Sequence, residues 1–393
     1  LRLWPTASCR PCPAGSRRHA NVEPMQKRLP GTSLRRDILR SMKEFAEMVK
    51  VVLISLEWPH AGHVGGVGRY AFRIAEELQQ RVDLTVVTLA GGTPLEGATM
   101  VYVPRAPGRI GRYYLTPLRL RKLVASLKAD VIHAFGDDWA LARNGAPIVR
   151  TFLGSSLAEA KASKGLRSLN HYVLALTEAR SRARAKYRIA IGPDSFETFD
   201  CDILMPPVTK VPPVTGVTKS EVPSVVFIGS FHGRKRGWLV SRTIEEVRTK
   251  TGLPIGLTVI GPVSDKENWP ADTVHLSGAP DDVVRETIAS SWVLMAPSEY
   301  EGFGIPLYEA MALSTFAIVT DNPGSSYIYN AVRPAPPISL VAEDHLNDEL
   351  EKRVRGTGGL DASEELAAST VVDYLVSEAS ATRLLEIYGQ LSR

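Results

Sequence analysis

Short apolar runs alternate with amphipathic stretches along most of the chain, and their lengths set the elements to expect. Val49 to Ser55 is apolar at all but its second and last positions, which reads as a strand buried on both faces rather than an alternating surface strand. After a glycine-rich turn, Val67, Ala71, Ile74 and Leu78 recur at helical spacing, and Leu84-Thr85-Val86-Val87 follows as the next strand, completing a βαβ unit. Val131 to Phe135 and Ile148 to Phe152 read as further strands, with an Arg-rich helical stretch around Pro117 to Leu127 ahead of them.

The pattern breaks between Pro206 and Pro223, where prolines are frequent and helix formers few, and then restarts. Ser224 to Gly229, Ile255 to Ile260, Thr273 to Leu276, Trp292 to Ala296 and Phe316 to Val319 read as strands. Helices are expected from about Trp238, over Asp281 to Ala289, and over Pro306 to Leu313. The expected architecture is therefore α/β, with two Rossmann-like, doubly wound parallel-sheet domains facing a cleft. The first domain covers 49–208, a linker 209–223, the second domain 224–365, and a C-terminal helix 366–393 packs back on the first domain. A chain of 393 residues fits two cores better than one.

Charge changes this picture only at the start. The net charge of +5 resides in residues 1–48, where ten Lys or Arg face four Asp or Glu, so the rest of the chain is close to neutral. That basic segment lacks apolar periodicity and is expected to be a disordered tail; a nucleic-acid partner is not expected. The three cysteines suggest no disulfide framework and fit a reducing, cytoplasmic setting. No apolar run is long enough to cross a bilayer.

The chemistry is concentrated after the apolar run 292–296. Pro297-Ser298-Glu299-Tyr300-Glu301-Gly302-Phe303-Gly304-Ile305-Pro306-Leu307-Tyr308-Glu309 reads as strand, glycine loop and helix, with Pro306 at a first-turn position where its missing N–H costs nothing. The amides of Gly302, Phe303, Gly304 and Ile305 would then sit at the positive end of a helix, suited to a diphosphate. Glu309 would fall one turn in, able to accept hydrogen bonds from a ribose diol. Following the strand at 224–229, Gly229-Ser230-Phe231-His232-Gly233-Arg234-Lys235-Arg236-Gly237 offers cations to the same anion. Gly62 to Tyr70 holds the adjacent glycines Gly65 and Gly66, which would let main chain approach a ligand closely.

The run from Glu301 to Ala312 resembles the signature of family 4 retaining glycosyltransferases of the GT-B architecture, with two glutamates separated by seven residues. The resemblance implies that Glu301 contacts the donor sugar and Glu309 the nucleoside ribose. It implies that Lys235 and Arg234 stabilise the departing diphosphate, in a family pattern whose Arg is replaced here by Ser230. It also implies that Gly65 and Gly66 meet the donor phosphate, and that His133, at a strand end, lies over the sugar.

The implied reaction is retaining, metal-independent transfer of a hexose-like unit from a nucleoside-diphosphate sugar to an acceptor hydroxyl, with Glu301, His133, Lys235 and Arg234 in the catalytic set. No cofactor or metal is expected. Asp200-Cys201-Asp202 has the form of a metal motif but lies near the linker, outside a fitting context. Peripheral contact with the inner face of a membrane is a further partner reading, from the basic residues around Arg105 to Lys122 and Arg180 to Arg188. A nucleotide-sugar epimerase or hydrolase, or a non-catalytic sugar-nucleotide-binding protein, would use the same cradle.

Overall fold

The computed structural model describes residues 49–60, 66–142, 145–162 and 165–393. The basic tail and Gly65 lie outside the described residues.

Within the described residues the first sheet holds β1 (Lys50–Ile54), β2 (Asp83–Leu89), β3 (Thr99–Val103), β4 (Val131–Ala134), β5 (Ile148–Phe152), β6 (Tyr187–Ala190) and β7 (Ile203–Leu204), in spatial order β3-β2-β1-β4-β5-β6-β7. All pairs are parallel. Val51, Leu53 and Ile54 of β1 are fully buried because helices cover both faces of the sheet, which is why the strand reads as an unbroken apolar run. Helix α1 (Gly66–Leu78) turns Ala71, Ile74 and Leu78 to one face. Helix α2 (Thr116–Ser126) leads into β4, α3 (Ser156–Ala162) and α4 (Gly165–Arg182) form a hairpin between β5 and β6, and α5 (Pro193–Phe199) follows β6.

The second sheet holds β8 (Ser224–Ile228), β9 (Gly256–Ile260), β10 (Val274–Leu276), β11 (Val293–Ala296), β12 (Phe316–Thr320) and β13 (Ile338–Val341), in order β10-β9-β8-β11-β12-β13 and again all parallel. Its helices are α6 (Gly237–Thr251), α7 (Asp281–Ser290), α8 (Ile305–Ala312), α9 (Pro323–Asn330) and α10 (Leu346–Val354). The expected strands and helices lie within a few residues of these positions. β3, β6, β7, β13, the α3–α4 hairpin and helices α5, α9 and α10 were not anticipated: most are short, and exposed or basic positions mask the apolar pattern of β3, β6 and α4.

Residues 366–393 are not one helix. α11 (Ala362–Glu378) begins ahead of the expected boundary, with Asp361 and Glu364 closing a capping box at its start, and packs Ala368, Val371 and Leu375 into the core beneath Phe303 and Leu307. α12 (Ala381–Leu391), capped by Ser380, crosses to the first sheet and places Leu384, Leu385 and Tyr388 beside Ile74 and Leu78.

Each sheet reverses its strand order once, between β1 and β4 in the first and between β8 and β11 in the second. The loops leaving these strands diverge and leave a crevice at the carboxyl edge, the place where doubly wound sheets take ligands.

Candidate active site

At the second sheet's crevice the loop after β8 meets the loop after β11. Gly233 to Lys235 form a single 3-10 turn, and Arg236 takes a left-handed conformation (φ 55°) before α6 begins. Three contacts clamp this basic turn to the neighbouring loop. Arg236 Nε donates to the Pro297 carbonyl at 2.6 Å, the Glu299 amide donates to the Arg234 carbonyl at 2.8 Å, and the Arg234 guanidinium donates to the Tyr300 carbonyl at 2.8 Å.

The clamp brings the expected residues together around Glu301. Its carboxylate accepts from Lys235 Nζ at 2.5 Å, from Arg234 at 3.1 Å and from Ser298 Oγ at 2.7 Å. Burial alone would raise the pKa of this carboxyl, but Lys235, Arg234 and these hydrogen bonds outweigh it and hold the group below its ordinary value. Glu301 is therefore an anion, shared between two cations.

Beyond it, Gly304 (φ 96°) turns the chain into α8, with Pro306 in the first turn. Among the described residues the N–H groups of Gly302, Phe303 and Gly304 donate to no main-chain carbonyl. Phe303 is only 2% exposed, its ring packed near Tyr327, so its main chain is what it offers a ligand.

Two other glycines hold this loop. A Cβ on Gly192 would lie 1.7 Å from the Gly302 carbonyl oxygen, and one on Gly324 would lie 2.5 Å from that of Phe303. The Gly324 amide also donates to the Glu301 carbonyl at 3.0 Å. Gly324, in the first turn of α9, thus buttresses the loop ahead of α8.

A cavity of about 530 Å³ joins these parts, lined by Arg234, Lys235, Glu301, Gly302, Gly304, Ile305 and Glu309 from the second domain and by Gly66, Arg69 and Arg73 from the first. Among the described residues no hydrogen bond or ion pair closes on the Glu309 carboxylate. Burial raises its pKa, Arg73 and Arg69 lower it, Asp281 raises it, and the net shift is upward. Arg69 and Arg73, one turn apart on α1, were not singled out from the sequence; their signal is the i, i+4 spacing directly after the glycine loop. Arg69 also reaches Asp281 across the cleft at 3.1 Å.

Two expected site residues are elsewhere. Ser230 Oγ donates to the His232 carbonyl at 2.8 Å, bonding within its own turn, and does not line the cavity. His133 is 1% exposed, with Nδ1 2.6 Å from the Tyr388 hydroxyl and Nε2 2.8 Å from Thr151 Oγ1. The period of two along β4 puts His133 on the same face as Val131 and Phe135, turned into the core under α12. Burial pushes its pKa down to about 3, with Arg150 adding to the shift. It is a satisfied core histidine and does not face the cleft. Asp200 and Asp202 pair with Arg188, and Asp200 also with Arg182, while Cys201 is buried between them. Among the described residues no cluster of three or more His, Cys, Asp or Glu is arranged to hold a metal ion.

The model of Glycosyltransferase Family 4 matches residues 64–213, and that of Glycosyl transferases group 1 matches residues 222–355. The chain belongs to the family 4 glycosyltransferases. No curated protein sequence matches it. Among solved structures, WaaG, a glycosyltransferase involved in lipopolysaccharide biosynthesis, is 17% identical at a TM-score of 0.65, covering 86% of this chain and 98% of its own. Sucrose-phosphate synthase from Thermosynechococcus elongatus is 16% identical at 0.67, covering 87% and 98%. Anabaena HepE, in complex with UDP and glucose, is 12% identical at 0.58, covering 87% and 98%. These likenesses establish the GT-B fold of the enzyme. Among the described residues, no helix is long and apolar enough to cross a membrane.

Proposed function

We propose that this glycosyltransferase moves a hexose-like unit from a nucleoside-diphosphate sugar to an acceptor hydroxyl, retaining anomeric configuration and needing no metal. The observation that carries the proposal is the joint cavity, lined by four cationic side chains (Arg69, Arg73, Arg234 and Lys235) and, without partners among the described residues, by three main-chain amides and the Glu309 carboxylate. The amides and the cations match a diphosphate, and Glu309 matches a ribose diol. HepE's complex with UDP and glucose supports the same donor class.

In this reading the chemistry is departure of the nucleoside diphosphate. Lys235, Arg234 and the amides of Gly302, Phe303 and Gly304 offset the charge growing on its phosphate oxygens, the task a divalent ion performs elsewhere. Diphosphate binding draws Lys235 and Arg234 from Glu301, leaving that carboxylate to hydrogen-bond the sugar as it becomes oxocarbenium-like. The acceptor hydroxyl then attacks from the face the diphosphate leaves. With His133 committed to the core, no histidine is assigned to the sugar. Turnover of UDP-, GDP- and ADP-sugars with acceptor, and the anomeric configuration of the product by NMR, test the proposal. An inverted product, or no binding of any of the three donors, would refute it.

The membrane reading draws support from exposed apolar side chains beside the basic segments: Leu169, Tyr172 and Leu176 on α4, and Ile110, Leu115 and Leu118 ahead of and within α2.

A further inference from the structure

The first sheet's crevice, between β1 and β4, holds a second cavity of about 450 Å³, walled by the loops after both strands and by α4. Val67 and Leu153 line this cavity and the donor cavity alike, so the two spaces adjoin where a sugar would be handed over.

Its charge is unbalanced. Glu57, Asp137 and Glu178 line it with Arg150 as the lining guanidinium, and behind them stand Arg112 and Asp138. Both guanidiniums are already taken: Arg112 by Asp137 at 2.8 Å, and Arg150 by Asp138 at 3.2 Å. Glu178 accepts from the Ser156 amide at 2.9 Å and from Ser156 Oγ at 2.6 Å, neutral donors that leave its charge in place. Among these six described groups, two carboxylates therefore exceed the cations. Burial raises the carboxyl pKa of Glu57, Asp137 and Glu178, and the arginines nearby do not offset it. Among the described residues, four buried polar atoms in or just behind this wall lack a hydrogen-bond partner: Asp138 Oδ2, His171 Nδ1, Trp139 Nε1 and Arg150 Nε, the last within ion-pair distance of Asp138.

Such a wall accepts hydrogen bonds from hydroxyls, attracts a protonated amine and repels an added phosphate or carboxylate. We infer that this cavity receives the acceptor, and that the acceptor is a non-anionic polyol, held most tightly when it carries a protonated amine near Glu57 and Glu178. The inference rests on the transfer reaction proposed above.

The test is ligand-detected NMR on the full chain with glucosamine, glucose and glucose 6-phosphate as probes, beside calorimetric titration with nucleoside diphosphates. Glucosamine should bind at least about tenfold more tightly than glucose 6-phosphate, the ratio expected when a charge-assisted hydrogen bond is replaced by repulsion. Glu57→Gln and Glu178→Gln should each weaken glucosamine several-fold and leave nucleotide titrations unchanged. Two substitutions on different elements guard against a local folding defect, which melting curves would reveal. Equal or tighter binding of glucose 6-phosphate, glucosamine binding indifferent to both substitutions, or no binding of any probe would overturn the assignment. Absence of nucleotide binding by the unsubstituted chain would instead discard the transfer reaction itself.

Discussion

Lys235 Nζ lies 2.5 Å from Glu301 Oε1, so the cation assigned to the leaving diphosphate closes onto the carboxylate assigned to the sugar. A ligand must part this pair, and the two glutamates of the signature should consequently fail in opposite ways.

Glu309→Ala should weaken nucleoside diphosphate and intact donor alike, by about 1.5–3 kcal/mol, the range for hydrogen bonds to a charged group. Glu301→Ala removes the carboxylate that Lys235 and Arg234 share, so bare nucleotide should bind as well or better while turnover drops by at least about tenfold. Calorimetry of both variants beside initial rates separates the roles. If Glu301→Ala weakened bare nucleotide as much as Glu309→Ala, the allocation would be wrong.

Activity should persist in excess chelator, because the proposed mechanism gives Lys235 and Arg234 the task a metal performs elsewhere. Initial rates before and after EDTA treatment decide the point; a loss restored by magnesium or manganese would reverse it.

Gly192→Ala and Gly324→Ala should each depress turnover by about tenfold or more while leaving every polar group of the cavity in the sequence. Both introduce a Cβ against carbonyls of the Gly302-Phe303 segment, and displacing a catalytic loop by about 1 Å costs about a hundredfold in rate. The check is kcat beside melting temperature; unchanged rates would show that the loop tolerates the shift.

Stability should fall with acidity in a window set by His133. Its folded pKa is depressed to about 3 by burial, while the unfolded side chain titrates near 6.5. Between those values the unfolded state binds a proton the folded state refuses, so each unit of falling pH costs up to about 1.4 kcal/mol. Above pH 6.5 the residue contributes no slope. Denaturant unfolding of the wild type and of His133→Gln between pH 4 and 7 should show a shallower slope for the variant; equal slopes would mean that His133 titrates normally.

Leu169→Glu with Leu176→Glu should abolish co-sedimentation with vesicles containing anionic lipid and leave nucleotide titration unchanged. Wild-type protein that stays in the supernatant would end the membrane reading.

The sequence by itself determined the parts whose signal is local. An apolar run, a helical repeat, a proline in a first turn and the segment from Glu301 to Glu309 each lie within a few residues, so the doubly wound sheets and the glycine loop ahead of α8 were legible before any contact was known. What it left undecided is which side chains meet. His133 had the right place at a strand end, yet its role was settled by Tyr388, which α12 carries back to the first sheet. Ser230 stands in the right loop but bonds within its own turn. Lys235 and Glu301 are 66 positions apart, and Gly192 meets Gly302 from the other domain. Periodicity along a chain reports which face is buried, whereas the partner on that face is chosen by how distant elements pack, and only the tertiary structure holds that information.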